Sequence, residues 1–148
     1  MPIDASVIGS STPTISVTVE RGRLQLFAKS VGQTDPLYTD VEAAKAEGMP
    51  DLPVPPTFLF GLELEQPEPF RWIADLGVDM NTVLHGDQTF TYERMAYAGE
   101  TLHSTSTITD VYAKKGGALE FVRRLTEVVR DGAVIATLDQ TIIVRNAA

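Results

Sequence analysis

The stretch LEFVRRLTEVVRDGAVIATLDQTIIV, residues 119–144, decides the fold. It contains two runs rich in Val, Ile, Leu, Thr and Phe, Leu119–Arg130 and 133–144, hinged on Asp131-Gly132. β-Branched and aromatic side chains suit a pleated, half-buried surface. Asp-Gly is one of the pairs that join adjacent antiparallel strands. Residues 101–112 have the same character and end at Lys114-Lys115-Gly116-Gly117; residues 82–92 do too, with Ala98-Gly99-Glu100 as the next break. Four long segments separated by turn residues predict an antiparallel meander.

Further upstream the period changes. Residues 15–19 alternate Ile15, Val17 and Val19 with Ser16 and Thr18, a short strand. Residues 20–31 put Leu24, Phe27, Ala28 and Val31 on one helical face, with Gly32 ending it. Thr34-Asp35-Pro36 reads as a turn, and Asp40 as the cap of a short helix through Ala46, closed by Gly48. Residues 50–56 hold four prolines and cannot be helical, because each proline also restricts the residue before it. Thr57 then caps the run Phe58-Leu59-Phe60-Gly61-Leu62-Glu63-Leu64, and apolar side chains almost all round a helix predict a buried one. Pro67 and Pro69 end it, and residues 70–76 allow another helical turn or two. A buried helix followed by a meander is an α+β arrangement. The expectation is a single hotdog domain over residues 1–148, its antiparallel curved β-sheet wrapped round a long central helix. Residues 1–13 are expected to be a flexible N-terminal segment.

The chain has 148 residues, 43% of them hydrophobic and 22% charged, the balance of a globular domain that buries a core without staples. It has no cysteine, which excludes disulfides, thiolate metal sites and cysteine nucleophiles. No stretch approaches the roughly 20 apolar residues of a membrane span. Residues 1–13 lack the basic and apolar regions of a secretory signal, so a cytoplasmic location is expected. A formal charge of −8 disfavours nucleic acid and anionic membrane as partners. The charge is uneven: residues 31–93 hold twelve acids and two bases, residues 94–148 six acids and seven bases. Either the second half meets an anionic ligand that the first repels, or both are solvated faces. No Gly-rich loop joins a strand to a helix, no His/carboxylate spacing suits a helix-borne metal, and Ser10-Ser11-Thr12 has no nucleophile-elbow context. No metal and no cofactor are expected.

A resemblance rests on particular segments. Glu20-Arg21-Gly22, Gly32-Gln33-Thr34-Asp35-Pro36-Leu37-Tyr38, Pro55-Pro56-Thr57-Phe58 and Leu84-His85-Gly86-Asp87-Gln88-Thr89-Phe90 occur in this order, followed by Gly99-Glu100-Thr101-Leu102. Together they resemble the MaoC-like dehydratases, in particular the N-terminal-domain branch with the fatty-acid-synthase-type dehydratases, over roughly residues 15–144. The resemblance implies reversible hydration of a 2-enoyl thioester to the (R)-3-hydroxyacyl thioester, carried by coenzyme A or acyl carrier protein. Catalytic members use an Asp and a His in a Gly-Asp-x-Asn-Pro-Leu-His loop. A carboxylate and an imidazole sharing one water can deprotonate it for attack at Cβ and return a proton to Cα. Here Gln33 stands in the place of that Asp and Tyr38 in the place of that His. A neutral amide is no base, and a phenol, with an ordinary pKa of about 10, is a poor one near neutrality. Thr57 stands where catalytic members carry Gly, and Pro56 offers no amide donor.

The resemblance is therefore closest to the non-catalytic hotdog subunits of heteromeric (3R)-hydroxyacyl dehydratases, which help to form the acyl pocket beside a catalytic partner. It implies a homodimer in isolation, or a heteromer with a catalytic MaoC-like hotdog subunit. The residues it puts near an acyl-CoA or acyl-ACP thioester are Gln33, Asp35, Tyr38, Pro56, Thr57, Phe58 and His85.

Several residues have two readings. Among two histidines, His85 shares a strand face with Asp87 if the strand is regular, either as a relocated hydratase or thioesterase pair or as structural neighbours of a close-packed Gly86. His103 lies in a Ser/Thr-alternating strand and is expected to face solvent. Lys114 and Lys115 either meet coenzyme A phosphates or an acidic carrier protein, or form a charged turn that discourages edge aggregation; the second reading is preferred for Arg123 and Arg124. Phe58, Phe60, Leu62 and Leu64 line an acyl channel or simply fill the core, where Trp72 and Phe70 also belong unless they form an interface. A module that binds acyl thioesters without turnover is the remaining alternative.

Overall fold

Asp131 and Gly132 both adopt positive φ, 51° and 76°, the conformation that a two-residue hairpin turn requires. In the computed structural model, which describes residues 2–146, this turn joins the two longest-paired neighbours of a five-stranded antiparallel sheet. The strands are β1 (Ile15–Thr18), β2 (Val83–Tyr92), β3 (Thr101–Lys114), β4 (Leu119–Arg130) and β5 (Ala133–Arg145). Their order is β1-β3-β4-β5-β2. The α+β hotdog fold is as expected, but the meander holds only for β3, β4 and β5. β2 pairs with β5 at the opposite edge from β1. Residues 93–100 are too long for a hairpin turn, and they make bonds of their own. Glu93 N and Arg94 N donate to the Ile135 carbonyl, Val54 N to Ala96, and Ala98 N to Leu52, which carries the chain across to β3.

Among the described residues, three α-helices lie outside the sheet: α1 (Arg21–Ser30), α2 (Val41–Ala46) and α3 (Arg71–Asp75). α1 buries Leu24 and Ala28, while Val31 falls just beyond its last turn and is exposed. Asp40 caps α2, its carboxylate accepting from Glu42 N at 2.9 Å. The long central helix is instead an eight-residue 3-10 stretch, Phe58–Glu65. Thr57 makes no side-chain cap. The first bond of this stretch, Phe58 N to the Pro55 carbonyl, already has the tight i to i+3 pattern. Gly61 and the flanking prolines keep it from lengthening into an α-helix. Phe58, Leu59 and Leu62 are buried, but Phe60 and Leu64 remain 37% and 50% exposed, so the segment is not covered all round.

The core has two parts. Leu24, Leu52, Leu59, Leu62, Leu102 and Val128 pack beneath α1 and the 3-10 stretch. Ile73, Ile108, Val122, Ile142 and Val144 pack beneath α3. Between them the same sheet face carries buried polar side chains: Ser104, Ser106, Arg124 and Gln140. The start of the chain, expected to be flexible, is bound to the sheet. Ile3 N donates to Glu120 Oε1 at 2.7 Å, Gly9 N to the Ile108 carbonyl at 2.8 Å, and Thr12 N to that of Ser106 at 2.8 Å. Met1, Ala147 and Ala148 lie outside the described residues.

Candidate functional site

The loop after α1 is built on its own side chains. Gln33 Oε1 accepts from Asp35 N at 3.0 Å, and Asp35 Oδ1 accepts from Leu37 N at 3.0 Å, capping the single turn Pro36–Tyr38. Gln33 and Asp35 thus shape the loop. Tyr38, carried by that turn, lines a cavity of 120 Å³ together with Pro56, Leu59, Tyr92 and Arg94. Tyr38 and Pro56 are therefore brought together. Neither Gln33 nor Asp35 lines this cavity, and no carboxylate or imidazole does. Its polar chemistry is two phenols and one guanidinium. Burial pushes the Tyr92 hydroxyl up to about 12, so it stays protonated near neutrality and can donate but not act as a base.

The other expected residues are dispersed. Phe58 packs edge-on against Phe27, ring centroids 5.5 Å apart, and belongs to the core. Thr57 is exposed. A bulge separates His85 from Asp87: His85 pairs with Ile142, but Asp87 with Thr141. Adjacent residues of β5 point to opposite faces, so their partners do too. His85 lies on the inner face, edge-on to Phe60 at 5.5 Å. Asp87 lies on the outer face, where its charge acts on Arg123. The pair on one face that a regular strand implies is not formed. Gly86 is the extra residue, and a Cβ there would lie 2.9 Å from the Thr141 carbonyl oxygen.

Lys114 and Lys115 lie at the far end of the sheet. Tyr92 pairs with Ala136, whereas Lys114 pairs with Leu119 and that residue with Arg145. The β5 path from Ala136 to Arg145 spans about 30 Å at roughly 3.3 Å per residue. Lys114 Nζ sits over the stacked rings of Tyr112 and Phe121, 5.4 and 4.9 Å from their centroids. His103 faces outward and bonds Ser16 through Nδ1 at 2.7 Å.

The largest departure from expectation is Arg124. Arg123 faces out and pairs with Asp139 at 2.5 Å. Arg124 faces in, its side chain 4% exposed. Arg124 Nε donates to Gln140 Oε1 at 2.6 Å, Nη2 donates to Glu63 Oε1 at 2.5 Å, and the guanidinium lies 4.1 Å from the centre of the Trp72 ring. The signal was strand alternation: Val122, Arg124 and Val128 share a parity, and the apolar members are buried. Arg124, Glu63 and Trp72 line a second cavity of 350 Å³, between the sheet, α3 and the N-terminal segment. Among the described residues, no cluster of His and carboxylates could hold a metal ion. No helix among them is long and apolar enough to cross a membrane.

Residues 6–138 match the family described as "FAS1-like, dehydratase domain region". A UPF0336 protein of Streptomyces coelicolor is 40% identical over 124 residues, 83% of each chain. Among solved structures, the fold superposes on a chain of the HadBC (3R-hydroxyacyl-ACP dehydratase) complex of Mycobacterium tuberculosis with a TM-score of 0.77. That match has 25% identity and covers 93% of this chain and 96% of that one. The ChsH1-ChsH2 complex of the same organism gives 0.72 at 20% identity, over 94% of this chain and 86% of that one, a likeness of fold.

Proposed function

The chain belongs to the FAS1-like dehydratase-region family, and from that premise we propose that it is the non-catalytic subunit of a heteromeric 2-enoyl-thioester hydratase or 3-hydroxyacyl-thioester dehydratase. Its substrate is an acyl group carried by coenzyme A or acyl carrier protein, with no cofactor. The observation that carries this reading is the chemistry around Tyr38. Hydration needs one group to take a proton from water and another to protonate Cα. Gln33 is neutral and bonded to its own loop, and the cavity beside Tyr38 offers no carboxylate or imidazole. On this reading the family's loop is kept, with Gln33 and Tyr38 in the places of its Asp and His. The partner subunit supplies both, and this chain contributes a wall of the acyl pocket.

A free sheet edge supports the same reading. β2 pairs only with β5, and Phe60, Leu84, Tyr92 and Met95 on or beside it are 37–48% exposed. An unpaired strand edge with apolar neighbours invites a second hotdog. The separation of His85 from Asp87 removes the geometric basis for a relocated active site.

The test is hydration of a short trans-2-enoyl-CoA by the purified chain alone, with His85→Ala in parallel. Both are expected to be inactive. Activity in the unaltered chain that disappears in His85→Ala would overturn the proposal.

A further inference from the structure

The 350 Å³ cavity has the size of a small-molecule site and an unusual wall. Two side chains that line it, Arg124 and Trp72, carry buried atoms without hydrogen-bond partners, Nη1 and Nε1, and so does Gln88 nearby, at both amide atoms. Gln88 lies next to a void of 20 Å³ shared with Arg124 and Gln140, about enough for one water. No such void accounts for Arg124 and Trp72 together, which line the large cavity. Both unpaired atoms can only donate. A donor left dry and unmade carries its desolvation penalty already, so an oxygen that reaches it gains a full bond.

We propose that this cavity binds an apolar molecule bearing one neutral oxygen acceptor, a ketone or an ester carbonyl, held by Arg124 Nη1 and Trp72 Nε1. The donors call for lone pairs. The charge around them calls for neutrality, because Glu63, Glu68 and Asp75 outnumber Arg71 and Arg124 in the wall. Arg124 is already matched by Glu63 at 2.5 Å, and Arg71 by Asp75 at 2.8 Å. A carboxylate ligand would add a further unmatched negative charge. The body of the ligand meets Val7, Ile15, Leu76 and Ile108. Trp72 is half-buried on a five-residue helix between Pro69 and Gly77. Both donor atoms are covered in this structure, so the ligand's oxygen reaches them only as the indole shifts outward. The site stands whether or not the chain handles thioesters. Within the hydratase reading it selects acyl chains with a polar tail.

Trp72 is the only tryptophan, so its emission reports directly on the site. The full chain is titrated with 2-octanone, with its isosteric alkene 2-methyl-1-octene, and with octanoate. 2-Octanone is expected to shift the emission saturably, with the alkene at least fivefold and octanoate at least tenfold weaker. Trp72→Phe, followed by ligand-observed NMR, should weaken 2-octanone about fivefold, the value of one hydrogen bond. The proposal is overturned by an alkene that binds as well as the ketone, by octanoate binding more tightly, by no saturable binding, or by unchanged affinity in Trp72→Phe. None of these probes carries a thioester, so failure here is distinct from failure of the hydratase reading.

Discussion

Gly86 and Arg124 each settle a question that their neighbours in sequence leave open. At Gly86 the obstacle to any larger residue is a backbone carbonyl at 2.9 Å and Ile143 Cγ1 at 3.1 Å, and the carbonyl cannot move without breaking the bulge. Gly86→Ala is expected to cost about 1–3 kcal/mol, read as a lower urea midpoint with an unchanged slope. At Arg124 the charge is buried against Glu63 and Gln140. Removing it alone leaves Glu63 uncompensated, which costs about 3–5 kcal/mol, whereas replacing both members by apolar residues is far milder. Arg124→Leu should therefore be more destabilising than Arg124→Leu with Glu63→Leu. A chemical denaturation cycle on the four proteins measures the difference. Alternation carried a signal for the inward direction of Arg124, which the charged-edge reading passed over. The bulge that divides His85 from Asp87 was not legible, because an extra residue in a strand is set by pairing with β5.

At the scale of elements, α1 is tied to the proline segment that carries Pro55 and Pro56 toward Tyr38. Arg21 Nε and Nη2 donate to the Asp51 carboxylate at 2.9 and 2.6 Å, and Asp51 Oδ1 also accepts from Leu52 N at 2.8 Å. The Arg21 guanidinium beside it holds the Asp51 carboxyl down at about 2, below its ordinary 3.8. A depressed carboxyl stabilises the fold above its unfolded value and loses that contribution as the pH falls through the folded one. The stability lost in Asp51→Asn should thus be full at neutral pH and fade between pH 3.8 and about 2; thermal unfolding across that window checks it. Asp40→Ala removes the cap of α2 and should cost about 1 kcal/mol, seen as a lower midpoint at neutral pH. The start of α2 was readable because its Asp40 cap is local, whereas Thr57, expected to cap likewise, makes no such bond. The 3-10 character of Phe58–Glu65 was not readable, since an apolar run of that length fits either helix.

At the scale of the molecule, the sheet leaves β2 unpaired on one side, and the partner-subunit reading assigns that edge to a second hotdog. Mixing the chain with a catalytic MaoC-like subunit should convert any homodimer into a heteromer of distinct mass by size-exclusion chromatography with light scattering. Two species that elute unchanged would count against it. The polar band of Ser104, Arg124 and Gln140 across the inner face divides the core, so the sheet both supports the domain and lines a cavity.

Sequence by itself determined the strands, the turns that join β3, β4 and β5, the capped start of α2 and the family, and it carried the reading that Gln33 and Tyr38 stand in the places of a catalytic Asp and His. Those features depend on local periodicity, on turn conformations open to few residues, and on residue identity. Tertiary structure decided that β2 joins β5, that His85 and Asp87 face opposite ways, that the lysine turn lies a sheet's length from Tyr38, and that Arg124, Glu63 and Trp72 meet. Each is a matter of register between segments far apart in the chain. Long-range pairing is selected by burial of the whole inner face, which no short window of sequence contains.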